Sequence, residues 1–220
     1  MTLHILTPAD YRTMPWKNGQ GITHEIAVER TEEDLRSGGF VWRMSMAEVG
    51  VSAPFSQFPH CDRTIVLLEG EGMILDSGSN GYHELTRPFV PYSFRGEWQT
   101  EGRLIGGPCR DFNLMVDRTR ARAECAVLSL SKTAQTLHLP GEPCALLTLR
   151  GTVVGMAEPS QQSFELPARH TLLTKSGSAQ PRPQTLTVTA GEEQTCALLI
   201  SVTRRPQTSD AATDGEPRSR

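Results

Sequence analysis

The chain is broken into short apolar runs rich in β-branched residues, each closed off by Gly, Pro, Asn or Ser, and this feature most restricts its fold. Such runs cover Ile22 to Val28, Val41 to Glu48, Thr64 to Glu69, Met73 to Asp76, Leu104 to Ile105, Asp111 to Val116, Cys125 to Leu130, Ala145 to Arg150, Thr185 to Thr189 and Cys196 to Val202. Many short strands between turn residues make an all-β sandwich or barrel, because a βαβ fold would need helical periods between them. Only two brief helices are expected: Pro8 to Met14, with Thr7 as N-cap, and the charged stretch Thr31 to Arg36.

A chain of 220 residues can bury a sizeable core as one large all-β domain or two smaller ones sharing an interface. The strand pattern pauses around Ser131 to Pro143, where Pro140-Gly141 is a breaker, and a boundary is expected there. From Arg204 onward the composition is almost free of apolar residues, and a disordered tail over 204–220 is expected. With 22 basic against 25 acidic residues and no block of like charge, neither nucleic acid nor a membrane is an expected partner. Met1 to Asp10 lacks the pattern of a leader, so a soluble cytoplasmic protein is expected. The five cysteines stand singly, without a CxxC pair, which argues against a disulfide framework or zinc cage.

Period-2 alternation sorts the polar residues of three strands. In Val41 to Ala47, Trp42, Met44 and Met46 fall on one face and Arg43 with Ser45 on the other. In Asp111 to Val116, Phe112, Leu114 and Val116 separate from Asp111, Asn113 and Met115, and near Ile22 the polar positions are Thr23 and Glu25. A half-exposed sheet whose polar face meets water would show the same split. Beside these strands lie three loops with aromatic and charged residues: Pro15 to Gly21 with Trp16, Lys17 and Asn18; Ala53 to Arg63 with Asp62 and Arg63; and Pro91 to Trp98 with Phe94.

The blocks MPWKNGQGITHEI, VWRMSMAEV, PFSQFPHCDRTIVLLEGEGM, PYSFRGEW and RDFNLMVDR, in this order over about half of the chain, closely resemble the HutD/Ves family. The resemblance implies cupin-type double-stranded β-helix barrels, two in one chain: a first over 1–135, and a second over 136–203 completed by strands from the first half. It also implies a link to bacterial histidine utilisation through binding of a pathway intermediate. The chain departs from the family pattern at Gly19-Gln20-Gly21 and at His60, where glycine is frequent.

Metal-bearing cupins use an HxH pair, a Glu and a later His; here the six histidines occur singly, so no metal and no cofactor are expected. Cys61 sits between His60 and Asp62, but strand neighbours point to opposite faces, so a buried inert thiol is expected and no catalytic residue is assigned. The preferred function is binding of a small organic acid such as urocanate or formylglutamate, with Lys17, Arg43 and Arg63 clamping a carboxylate. Asn18, Ser45, Asp62, Asp111 and Asn113 would complete the polar wall, and Trp16 or Phe94 would cover a planar portion. A metal-free isomerase or hydrolase, and a purely structural module, are the alternatives. A homodimer is compatible with this fold.

Overall fold

The computed structural model describes residues 2–16, 19, 21–139, 143–175 and 184–206. In the first half run β1 (Thr2–Leu6), β2 (Arg12–Pro15), β3 (Gly21–Glu29), β4 (Trp42–Val49), β5 (Ala53–Pro54), β6 (Cys61–Glu69), β7 (Met73–Asp76), β8 (Tyr82–Leu85), β9 (Pro91–Arg95), β10 (Glu101–Leu104) and β11 (Cys109–Asp117). There follow β12 (Ala121–Ser129), β13 (Gln135–Leu139), β14 (Cys144–Arg150), β15 (Thr152–Glu158), β16 (Gln162–Pro167), β17 (Thr171–Lys175), β18 (Gln184–Ala190) and β19 (Cys196–Arg204).

The strands form four sheets. Two belong to the first half, in the orders β2-β3-β4-β11-β6-β9 and β5-β10-β7-β8; the other two run β1-β17-β14-β19-β12 and β13-β18-β15-β16. The cores fix how these sheets stack. Ala47, Val49, Ile65 and Leu67 of the six-stranded sheet meet Met73, Leu75 and Leu85 of its four-stranded partner. On the reverse face of that six-stranded sheet, Met44, Met46, Phe112 and Leu114 pack against Ala145, Leu147, Leu198 and Ile200 of the five-stranded sheet. The far side of the five-stranded sheet, with Leu146, Leu172 and Ala197, faces Leu137, Val153, Leu166 and Val188. The molecule is therefore two facing sheet pairs set back to back. Both central sheets are buried on both faces, which is why β14, β17 and β19 carry adjacent apolar residues such as Leu146-Leu147 and Leu172-Leu173 where a half-exposed strand would alternate.

Strand β1 pairs with β17 and strand β12 with β19, so the five-stranded sheet joins strands far apart in the chain. The region read as a pause contains β13. The expected helix over Pro8 to Met14 is a single 3-10 turn, Pro8–Asp10, in which the Asp10 carboxylate accepts from the Thr7 backbone N–H and hydroxyl. Tertiary contacts end it. Tyr11 is buried with its hydroxyl on the Arg169 carbonyl and Thr171, and Arg12–Pro15 pairs with β3. The second expected helix is present as Glu32–Ser37, capped by Thr31 and closed by Gly38 at φ 78°. The tail from residue 207 onward lies outside the described residues, whereas Arg204 ends β19.

Leu198 is fully buried between the two central sheets. Leu198→Ala is expected to cost about 2–5 kcal/mol and to leave one cooperative transition in urea, since the seam it empties is shared by both halves.

Candidate functional site

A cavity of about 590 Å³ opens inside the first sheet pair. Its polar wall comes from the inner face of the six-stranded sheet: Thr23 on β3, Arg43 and Ser45 on β4, Arg63 on β6, and Asp111 and Asn113 on β11. The opposing wall is apolar, with Val51, Pro54, Phe55, Phe58 and Met73. Strand register sets the positions. Asn113 lies opposite Ser45 and Ile65, and Met115 lies opposite both Arg43 and Arg63, so the two guanidiniums flank the central strand at one level.

Arg63 is only 6% exposed. Its Nη2 donates to Asn113 Oδ1 at 2.8 Å, its Nε is buried without a hydrogen-bond partner, and no salt bridge joins it to a carboxylate among the described residues. Three rings surround the guanidinium in place of a counter-ion, with Phe55, Phe94 and Phe58 centroids at 4.9, 5.0 and 5.9 Å. Burial pulls its pKa down to about 10, with the Asp111 charge opposing, which leaves it a cation at neutral pH. Arg43 is differently placed: its Nε lies 3.0 Å from Glu25 Oε2, at ion-pair distance but outside hydrogen-bond alignment, and Glu25 is shared with Arg30 at 3.2 Å.

Asp111 is 1% exposed and touches Arg63 only through an intermediary. Asn113 turns its amide nitrogen to Asp111 Oδ1 and its oxygen to Arg63, an orientation required because a guanidinium can only donate. Burial pushes the Asp111 carboxyl up to about 7 against the opposing influences of the Arg63 charge and the Asn113 hydrogen bond. Burial also raises Cys61 to about 11 and Cys109 to about 12, so both stay thiols at neutral pH.

Of the residues singled out in the sequence, Trp16, Arg43, Ser45, Arg63, Asp111 and Asn113 line the cavity. Trp16 is held there by its Nε1 on Thr23 Oγ1 at 2.9 Å and by Gly21, where a Cβ would come within 2.7 Å of the indole. Phe94 supports Arg63 from beneath and is not a lining residue. Asp62 is a correction: its side chain is 52% exposed on the outer face, opposite Val116, and pairs with Arg95 and with Arg118 at 2.8 Å. One residue of alternation separates it from Arg63. Lys17 and Asn18 lie outside the described residues. Sequence reasoning placed Glu25 on the polar face of its strand but missed it as the partner of Arg43, and it missed Phe55 and Phe58 as the cage, which only their place in the loop before Arg63 signalled. His60, at a position where the family pattern often has glycine, takes φ 61°, a left-handed conformation that glycine adopts freely.

The metal that the cupin fold implies does not suit these donors. The cavity wall offers one carboxylate beside two guanidiniums and no imidazole, and no group of three or more His, Cys, Asp and Glu side chains converges among the described residues.

The family model described as HutD matches residues 8–197. An uncharacterized 21.2 kDa protein in the hutC 3' region of Pseudomonas putida is 41% identical over 121 residues, which cover 55% of this chain and 62% of that protein. Protein Ves of Cronobacter sakazakii is 36% identical over 122 residues, 54% of this chain and 64% of its own. The matched stretch thus spans less than two thirds of these curated relatives. The structure of HutD from Pseudomonas fluorescens SBW25 in a formate condition is 30% identical, covers 93% of this chain and all of its own, and superposes with a TM-score of 0.76. A cupin 2 conserved barrel domain protein from Leptotrichia buccalis, at 10% identity and TM-score 0.55, shares the fold alone.

Asp111 makes stability depend on pH. Its folded-state pKa is raised, so the folded protein holds the proton more firmly than the unfolded chain does. The stability this contributes is full below about pH 4, is lost from about pH 4 to about 7, and then levels off, with a slope approaching about 1.4 kcal/mol per pH unit. Urea unfolding of Asp111→Asn beside the wild type at pH 5 and 8 should show the variant losing less stability over this interval.

Proposed function

This chain belongs to the HutD family, and from that premise we propose that it binds a small carboxylate metabolite in the cavity of its first sheet pair. The observation that carries the proposal is Arg63: a buried cation facing a cavity, caged by aromatic rings and, among the described residues, without a carboxylate of its own. Leaving such a charge unmatched in a low-dielectric site is costly, and an entering anion offsets that cost. Ser45, Thr23 and Asn113 offer hydrogen bonds to the remainder of the ligand, Trp16 and Phe55 offer flat apolar cover, and the volume suits a metabolite of modest size. The hutC-region name of the Pseudomonas putida relative suggests a ligand from histidine utilisation, and urocanate or formylglutamate fits the chemistry of this cavity. In this reading the protein is a regulatory binder in a bicupin frame, and it acts without a metal.

A second reading, a metal-free isomerase or hydrolase, is favoured by one feature. A cavity carboxyl with a pKa near 7 is suited to moving protons. Proton NMR of the acid incubated with the protein separates the two, since a binder leaves the spectrum of the acid unchanged over hours.

Thermal-shift measurement tests the binding. A bound acid at about 100 times its Kd stabilises by roughly 2.7 kcal/mol. Arg63→Met should keep the fold, because the cage accepts an apolar side chain of similar length, yet weaken binding by about 2–4 kcal/mol, or roughly 30- to 1000-fold. Asp62→Asn, on the outer face, should bind like the wild type. If none of these acids shifts the wild-type protein, or if Arg63→Met responds as the wild type does, the carboxylate clamp is wrong.

A further inference from the structure

Asp111 is the acidic group among the described residues of the same cavity wall, and its position creates a conflict with an anionic ligand. It is enclosed on the central strand, and the cation nearest in the network, Arg63, reaches it only across the Asn113 amide. An acid seated against Arg63 therefore arrives beside a carboxylate that has no salt bridge among the described residues. Two carboxylates confined in one low-dielectric site do not both stay ionised.

We infer that this site takes up its carboxylate ligand together with a proton, held on Asp111, so that binding of the acid is linked to pH. The inference rests on the carboxylate reading above and extends it to regulation of the same site.

The surrounding groups leave Asp111 as the one to respond. Facing it across the cavity wall are Arg63 on β6, and Arg43 on β4 with Glu25 and Arg30 behind it. The thiols of Cys109 on its own strand and Cys61 on β6 remain protonated through neutral pH. The lining residues from β5, β7 and β10, namely Ala53, Pro54, Met73 and Gly102, carry no charge, and among the described residues no histidine lines the cavity. In the free protein the Asp111 proton is already loosely held near neutrality, since burial brings its carboxyl up to about 7. A nearby anion raises it further. The direction is then determined: the acid binds the protonated form, so affinity is flat below about pH 7 and falls as pH rises above it.

Isothermal titration calorimetry of the full chain with N-formyl-L-glutamate, whose carboxyls are ionised throughout this range, tests the linkage. Binding should be about 30-fold weaker at pH 8.5 than at pH 6, and uptake at pH 8.5 should approach about one proton per site when buffers of different ionisation enthalpy are compared. Asp111→Asn, which keeps an oxygen for Asn113, should bind at pH 8.5 about as tightly as the wild type at pH 6, with no proton uptake. Binding of equal strength at both pH values without uptake overturns the inference while leaving the carboxylate reading intact. A pH dependence that persists in Asp111→Asn removes the assignment to Asp111. Absence of binding at either pH overturns the carboxylate reading and this inference with it. Should the variant fail to fold, proton uptake by the wild type decides alone.

Discussion

The packing of Phe112, Leu114 and Val116 against Leu147, Leu198 and Ile200 is the contact on which the rest of the molecule depends. It buries the outer face of the six-stranded sheet. Without it, β4 and β11 would turn a row of large apolar side chains to water. With it, the inner face of the same strands is relieved of providing all the burial, and can carry Arg43, Ser45, Asp111 and Asn113 around a cavity. The second sheet pair, filled with apolar side chains, serves as the backing that lets the first one stay hollow.

Within the cavity, charge is balanced in two different ways. Arg43 has an acidic partner in Glu25, whereas Arg63 has rings and one amide oxygen. Asn113 joins Arg63 to Asp111 without bringing the two charges into contact, so neither neutralises the other completely. The consequence is a cation that stays charged and a carboxyl poised near neutrality, both in one wall. Part of the electrostatics of this wall is thus left unsatisfied by the protein itself, and the proposed charged ligand rests on that.

Much of this wall is legible in the sequence. Alternation in Val41 to Ala47 and Asp111 to Val116 separates the polar residues from the core residues before any coordinate is known, and the same rule assigns Trp42, Met44 and Met46 to the seam. The rule also explains the misplacement of Asp62. Adjacent residues of β6 face opposite ways, so Arg63 in the cavity requires Asp62 outside it, and grouping the two by their proximity in the loop ignored this. Other features depended on distant contacts. The brief 3-10 turn at Pro8–Asp10 stops because Tyr11 is drawn into bonds with Arg169 and Thr171, more than 150 residues away in sequence. Strand β13 escaped notice because its buried residues, Leu137 and Leu139, are too few to stand out from the turn residues around them.

By itself the sequence determined the all-β class, the two faces of the central strands and, through its ordered motifs, the family. Those properties follow from local rules: strand period, turn chemistry and residue identity. Only the tertiary structure decided which polar face encloses a cavity and which meets solvent, that β1 and β12 cross over to the second sheet pair, and that Arg63 lies in a cage of Phe55, Phe58 and Phe94. The physical reason is that desolvation is a property of the assembled fold. A guanidinium or a carboxyl in a strand carries no mark of whether water will reach it, and the electrostatics of Arg63 and Asp111 follow from water being excluded once the sheets have closed around them.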